Sequence, residues 1–241
     1  MRKQLIFSKT GLLKFVGHLD MMRTMQRALN RAKIPLSYTQ GFNPHPHMTF
    51  ANPLGLGCSG ENEIMEIRTE KDISDQDLFD RLNAQLPKGL HVKAVRTLPD
   101  TRPAIMSLIK AAEYQILLPD PAGKEAFGID WKAAVDNLMQ QDTVTITRTG
   151  KVHGQKRKIE VNARPLIYEA KVEDGRLLKV LCACGSEENL KIDLLVDALY
   201  RSIDRMDLAR METIDRVALY IRREDGSLQE ESDFSDWPVH E

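Results

Sequence analysis

Each half of this chain sets two helical patterns among short β-type runs, and that order restricts the fold more than any other feature. In the first half, residues 4–7 and 12–15 are apolar-rich runs of strand length. A helical pattern follows, in which Met22, Met25, Leu29 and Ala32 recur at the spacing of one helix face and Pro35 stands just beyond the end. Gly17 is the expected N-cap, with Asp20 in the capping-box position. Residues 36–39, 47–51 and 63–68 read as extended. Ser74 then caps a second helix over residues 75–86 that stops at Pro87, and residues 90–97 supply a closing strand. The second half repeats the order: strand 113–118, helix 130–141, strands 144–148, 165–172 and 177–183, helix 192–203 and strand 217–222. The expectation is an α+β chain of two tandem ferredoxin-like (βαββαβ) units, residues 1–100 and 108–223, joined by the Pro-marked segment 98–107. Residues 224–241 form an acidic tail expected to be disordered.

One segment stands apart from these regular patterns. Residues 36–57, LSYTQGFNPHPHMTFANPLGLG, contain no Lys, Glu or Asp, yet hold two His, three Pro and three Gly between apolar runs. That composition describes a shaped loop. His45 and His47 lie two apart, so in an extended segment both rings leave the same side of the backbone, as Pro44 and Pro46 favour.

Charge is distributed unevenly behind a formal net of −1. Residues 1–60 carry eight Lys/Arg against Asp20 alone, and residues 148–168 carry six against Glu160 alone. Local basic fields of this kind suit a polyanion. Arg23, Arg27 and Arg31 recur every four residues on the helix face opposite the Met/Leu positions, a spacing suited to successive phosphates. Lys14 precedes them. The segment RTGKVHGQKRK places Arg148, Lys151, Lys156, Arg157 and Lys158 between two strands as a basic hairpin tongue, with Arg164 shortly after.

Three chemical readings of the loop stand beside the plain one, in which Pro and Gly shape a turn and the His rings cap carbonyls. In the first, Phe42 stacks a base while Gln40, Asn43, His45 and His47 hydrogen-bond an unpaired nucleotide. In the second, His18, Asp20, His45 and His47 bind Zn or Fe, although their spacing matches no metal signature. In the third, His18 or His45, with Asp20, performs acid–base chemistry on RNA. Phosphate-cradling glycine loops, a Gly-x-Ser-x-Gly nucleophile turn and a radical-SAM cysteine triad are all missing from the sequence. No cofactor is expected. Cys182 and Cys184 read as buried small apolar residues, since no second pair accompanies them. An odd count of three Cys argues against a disulfide framework, and no run reaches the length of a membrane span, so a cytoplasmic chain is expected.

The run KTGLLKFVGHLDMMRTMQRALNRAKIPLSYTQGFNPHPHMTFANPLGLG, residues 9–57, resembles the signature of the radical-SAM-linked proteins of bacteria, and the likeness extends through RKIEVNARPLI at 157–167. The family pattern falls on His18, Leu19, Asp20, Arg23, Arg27, Ala28 and Arg31, and on the Gly41–Pro46 motif. Gly17 stands where the family usually has Ser, and Glu66 where it usually has Asp. The resemblance implies an accessory protein acting beside a cobalamin-binding radical SAM protein; an enzyme in its own right, metal-dependent or an RNA endonuclease using His18 or His45, and a protein-docking module without RNA binding stand as the alternatives. Together with the basic segments, it leads to the expectation of a partner RNA, tRNA or rRNA, and no membrane.

Overall fold

Strand β1 (Arg2–Lys9) is buried at every position, and the first half of the chain is organised around it. A 3-10 turn at Gly11–Phe15 leads into α1 (His18–Arg31), followed by β2 (Met48–Phe50), β3 (Cys58–Arg68), α2 (Asp75–Asn83), β4 (Leu90–Leu98) and the short α3 (Ile105–Leu108). β1 pairs antiparallel with β3 on one side and β4 on the other, while β2 pairs with the distal part of β3, Met48 opposite Ile67. The computed structural model describes residues 1–119, 128–152 and 155–237. It is a mixed α+β structure with a large, mostly antiparallel sheet and few helices.

The chain then builds a second compact unit over residues 112–214. It comprises most of β5 (Ile109–Leu117), then α4 (Trp131–Met139), β6 (Thr145–Val152), β7 (Gln155–Asn162), β8 (Ile167–Glu173), β9 (Leu177–Ala183) and α5 (Ile192–Ser202). β9 lies between β5 and β8, whereas β6 and β7 form a separate two-stranded ribbon. Trp131 of α4 meets Tyr200 of α5 edge-on at 6.0 Å. Cys182 and Cys184 are buried in this unit and belong to no disulfide, in line with their reading as small apolar residues. Most of β10 (Thr213–Arg222) and all of β11 (Leu228–Glu230) return to the first unit, which consists of residues 1–111 and the chain from 215 onward.

Helix phases follow from burial. Met21, Met25, Ala28 and Leu29 of α1 and Leu78 and Leu82 of α2 pack on Leu5 and Phe7. Of the expected face, Met25, Leu29 and Ala32 are buried; Met21 and Ala28 join them, and Met22 lies at the margin. Ser74 caps α2, its hydroxyl accepting from the Asp77 N–H at 3.0 Å. Gly17 is the N-cap of α1, but Asp20 closes no capping box; its carboxylate accepts from Arg23 at 3.1 Å.

Two expectations are corrected. Residues 12–15 are not a strand: Gly11 at φ +62 turns the chain, and the Leu13 N–H bonds the Thr10 carbonyl. The second half also carries the β6–β7 ribbon outside the main sheet. The described part of the acidic tail, residues 224–237, is folded, since β11 pairs with β10 and Glu231 is buried; residues 238–241 lie outside the described residues. Its carboxylate collects Gln4, Arg96 and Arg102 at 3.0, 2.8 and 2.7 Å, so those groups would lose their partner if the tail detached.

A second buried ion pair ties β10 to β3. Arg216 donates to both oxygens of Glu63, at 2.8 and 2.5 Å, and to the Asn52 carbonyl at 2.7 Å. Both side chains are almost wholly removed from water. Removing one partner strands the other, so Arg216→Met should lower unfolding stability by about 3–5 kcal/mol. Pairing that change with Glu63→Leu should restore a large part of the loss. Denaturant titration of the single and double variants measures both, and a single variant within 1 kcal/mol of the parent, roughly a surface-substitution effect, would contradict the account.

Candidate functional site

The loop between α1 and β2 closes on itself before reaching the sheet. The Thr39 N–H donates to the His45 carbonyl at 2.8 Å, and the His45 N–H donates to the Thr39 hydroxyl at 3.0 Å. Gly41, at φ +126, makes the turn at the tip and leaves the Phe42 ring fully exposed. Gln40, Asn43, His45 and His47 are exposed as well. The two histidines therefore do not serve as buried caps, and the apolar ring beside polar groups has the form of a stacking platform.

Of the eight cations in residues 1–60, Arg2, Lys3 and Lys9 are buried in β1. Arg2 pairs with Glu66 at 2.6 Å, and Lys3 reaches Asp75 and the Ile73 carbonyl at 2.7 and 2.6 Å. Glu66, singled out as a departure from the resembled pattern, thus has a structural partner. Arg23 and Arg27 are exposed on α1, the former paired with Asp20. Arg31 is also exposed, but its guanidinium donates to the Gln85 carbonyl at 2.7 Å. Lys14 lies over the Phe15 ring, 5.2 Å from its centroid.

The β6–β7 ribbon carries the other basic group. Register places Arg148 opposite Ile159, Thr149 opposite Lys158, Gly150 opposite Arg157 and Lys151 opposite Lys156. Alternation sends Lys156 and Lys158 to one face and Arg148 and Arg157 to the other, and all four are exposed. A Cβ at Gly150 would meet the end of the Ile159 side chain, which would have to turn aside. The end of the tongue, His153 and Gly154, and the Lys151 side chain lie outside the described residues. Arg164 is engaged otherwise: it holds the Met139 and Ile167 carbonyls, each at 3.1 Å, and so ties the end of α4 to β8.

Among the described residues, no group of three or more His, Cys, Asp or Glu side chains is placed to hold a metal ion. The proposed set of His18, Asp20, His45 and His47 is not assembled, because His45 and His47 are exposed on the loop while His18 faces a pocket. Its walls come from Phe7, Met21, Phe50 and Leu54, and its polar groups from Lys9, His18, Asn52 and Glu63. The His18 ring meets Phe50 edge-on at 5.6 Å. Burial, assisted by the positive charge of Lys9, holds the His18 imidazole below its ordinary pKa. Burial likewise lowers the Lys9 ammonium, with the Glu63 carboxylate opposing. Sequence reasoning passed over Lys9, although a lysine on the strand face that carries Leu5 and Phe7 breaks the apolar alternation.

A family model described as an uncharacterized protein conserved in bacteria (DUF2344) matches residues 2–192. The chain belongs to that family. No curated protein matches significantly. Among solved structures, a chain in the crystal structure of a Cbf5-Nop10-Gar1 complex is similar at 10% identity and a TM-score of 0.41. The alignment covers 90% of this chain and 48% of that one, so the family member spans about half the length of its structural counterpart. A likeness so loose carries no argument about function. No helix among the described residues is long and apolar enough to cross a membrane.

Two measurements check the assignments within the first unit. In NMR titration the His18 ring should change protonation below the ordinary histidine range, and Lys9→Met should raise its midpoint by removing a neighbouring charge; an unmoved midpoint would place Lys9 out of electrostatic reach. His45→Ala should alter stability by less than about 1 kcal/mol, the usual size for an exposed side chain. A larger loss in chemical denaturation would return His45 to a structural role.

Proposed function

We propose that this protein binds RNA, tRNA or rRNA, as a non-catalytic accessory to a cobalamin-binding radical SAM enzyme. The observation that carries the reading is the β6–β7 ribbon, where Lys156, Arg157 and Lys158 are consecutive, exposed and divided between both faces of a two-stranded element. Such a ribbon can follow a phosphate backbone without base recognition. In the first unit, the exposed Phe42 ring with Asn43 and His45 offers stacking and hydrogen bonding to an unpaired nucleotide. Arg23 and Arg27 add phosphate contacts from α1. The radical SAM partner rests on the sequence resemblance, and RNA modification is the reaction such a pair would perform. In the same reading each unit is ferredoxin-like, supported in the first by the β4-β1-β3-β2 strand neighbours.

RNA affinity measured across a salt series tests the proposal. Replacing Lys156, Arg157 and Lys158 by Ala should reduce the dependence of log K on log salt by up to about three units. Arg164→Ala should leave that slope unchanged, because its guanidinium is committed to carbonyl oxygens. Parental affinity that is absent or insensitive to salt would remove the RNA reading.

A further inference from the structure

The pocket at the end of β1 holds a charge that its surroundings leave uncompensated. Lys9 is only 3% exposed. Its ammonium has three donors, yet among the described residues its one hydrogen bond goes to the Val16 carbonyl, at 2.9 Å. Glu63 is the nearby carboxylate, but both of its oxygens are taken by Arg216. Two cations and one carboxylate leave a single positive charge, buried where an unmatched ion is costly. The His18 ring and the Asn52 side-chain amide line the same pocket, and neither has a hydrogen-bond partner among the described residues.

The apolar surroundings narrow the ligand further. Phe7, Met21, Phe50 and Leu54 wall the pocket, whose enclosed part has room for a group of only water size. That admits only the leading oxygen of an anion, and a planar carboxylate is narrower at the pocket mouth than a tetrahedral phosphate. Four large apolar side chains are exposed on the flanking segments: Leu12 and Phe15 between Lys9 and His18, Leu19 directly after His18, and Leu56 two residues past Leu54. The Gly57 N–H donates to the Lys14 carbonyl at 2.8 Å, bringing the loop that carries Leu56 beside the 3-10 turn. A polar floor with one spare positive charge and an apolar rim match an anion on an apolar stem.

We infer that the Lys9–His18–Asn52 pocket is a binding site for a carboxylate carried on an apolar body. The free ammonium hydrogens of Lys9 receive one carboxylate oxygen, the Asn52 amide and His18 N–H serve the other, and the stem lies over Phe50, Leu54 and the exposed rim. Such a group is supplied either by a small aliphatic acid or by an acidic side chain within an apolar peptide. This site is independent of the RNA reading, since none of its residues lies on the ribbon or at the Phe42 tip.

Titration of the whole chain with 4-methylpentanoate, 4-methylpentanamide, acetate and inorganic phosphate, followed through the His18 ring resonances, tests the inference. The branched acid should give a saturable shift, with the isosteric amide and acetate each at least about tenfold weaker, as expected for a charge-assisted contact with an apolar stem. Phosphate should give none. Lys9→Met should weaken the acid about 10–100-fold. Because that variant also removes a buried cation from the core, Asn52→Ala, which keeps the carbonyl that Arg216 uses, provides a second reading and should weaken binding several-fold. A Leu-Leu-Glu-Leu-Leu peptide blocked at both ends separates the sources: tighter binding than the free acid assigns the carboxylate to a peptide, weaker binding to a small acid. No saturable shift with either acid or peptide, or equal binding of acid and amide, overturns the inference.

Discussion

A central strand buried on both faces governs the first unit. Lys3, Leu5, Phe7 and Lys9 share the side that meets the helices, while Arg2, Gln4, Ile6 and Ser8 share the other. An antiparallel sheet with one solvated face would leave the even-numbered positions to water. Here they are covered, and three of them are polar, Arg2 and Gln4 with the larger hydrogen-bonding demands. The cover must therefore bring acceptors with it, and it does: Glu66 for Arg2, the Pro103 carbonyl for the same guanidinium at 2.7 Å, and Glu231 for Gln4. Arg96, drawn into the same cluster, is stacked against Trp237, 4.1 Å from the ring centroid.

That requirement explains why parts of the fold were legible in the sequence and parts were not. Helices α1 and α2 could be read from apolar spacing and from Ser74, because their stability depends on one stripe facing one core. The later half of β3, from residue 63, and β4 were also read as extended. The tail could not be read in this way. Its acidic composition signals solvation when each residue is considered alone, and only the distant cations of Arg96 and Arg102 turn Glu231 into a buried residue. The turn at 12–15 misled for the opposite reason: Leu12 and Phe15 are apolar enough for a strand, but Gly11 directs the chain away from the sheet and leaves both side chains exposed.

The candidate sites divide along the same line. Phe42, Lys156, Arg157 and Lys158 were visible because exposure is the default for a loop tip or a basic ribbon, and nothing in the tertiary structure altered it. Arg31 and Arg164 carry the same charge but spend it on carbonyls contributed from elsewhere. The segment 36–57 contributes to the pocket by residues other than those its composition singled out. Its histidines drew attention, whereas its later residues Phe50, Asn52 and Leu54 enter the pocket. Their polar companions Lys9 and Glu63 come from neighbouring strands, and Arg216, which occupies Glu63, comes from far along the chain; no spacing rule could have joined them.

The hydrogen bond from Gln4 to Glu231 spans 227 positions of sequence. During synthesis, β1 therefore waits for almost the whole described chain before its second face is covered. The intervening unit, residues 112–214, is continuous and can collapse first, shortening the effective loop that remains to be closed. Until then Arg96, Arg102 and Gln4 face solvent, which suits charged and polar groups far better than it would a hydrocarbon surface. An ionic lining on this late-covered face leaves the nascent chain hydrated and resistant to association at the very surface that must stay open longest.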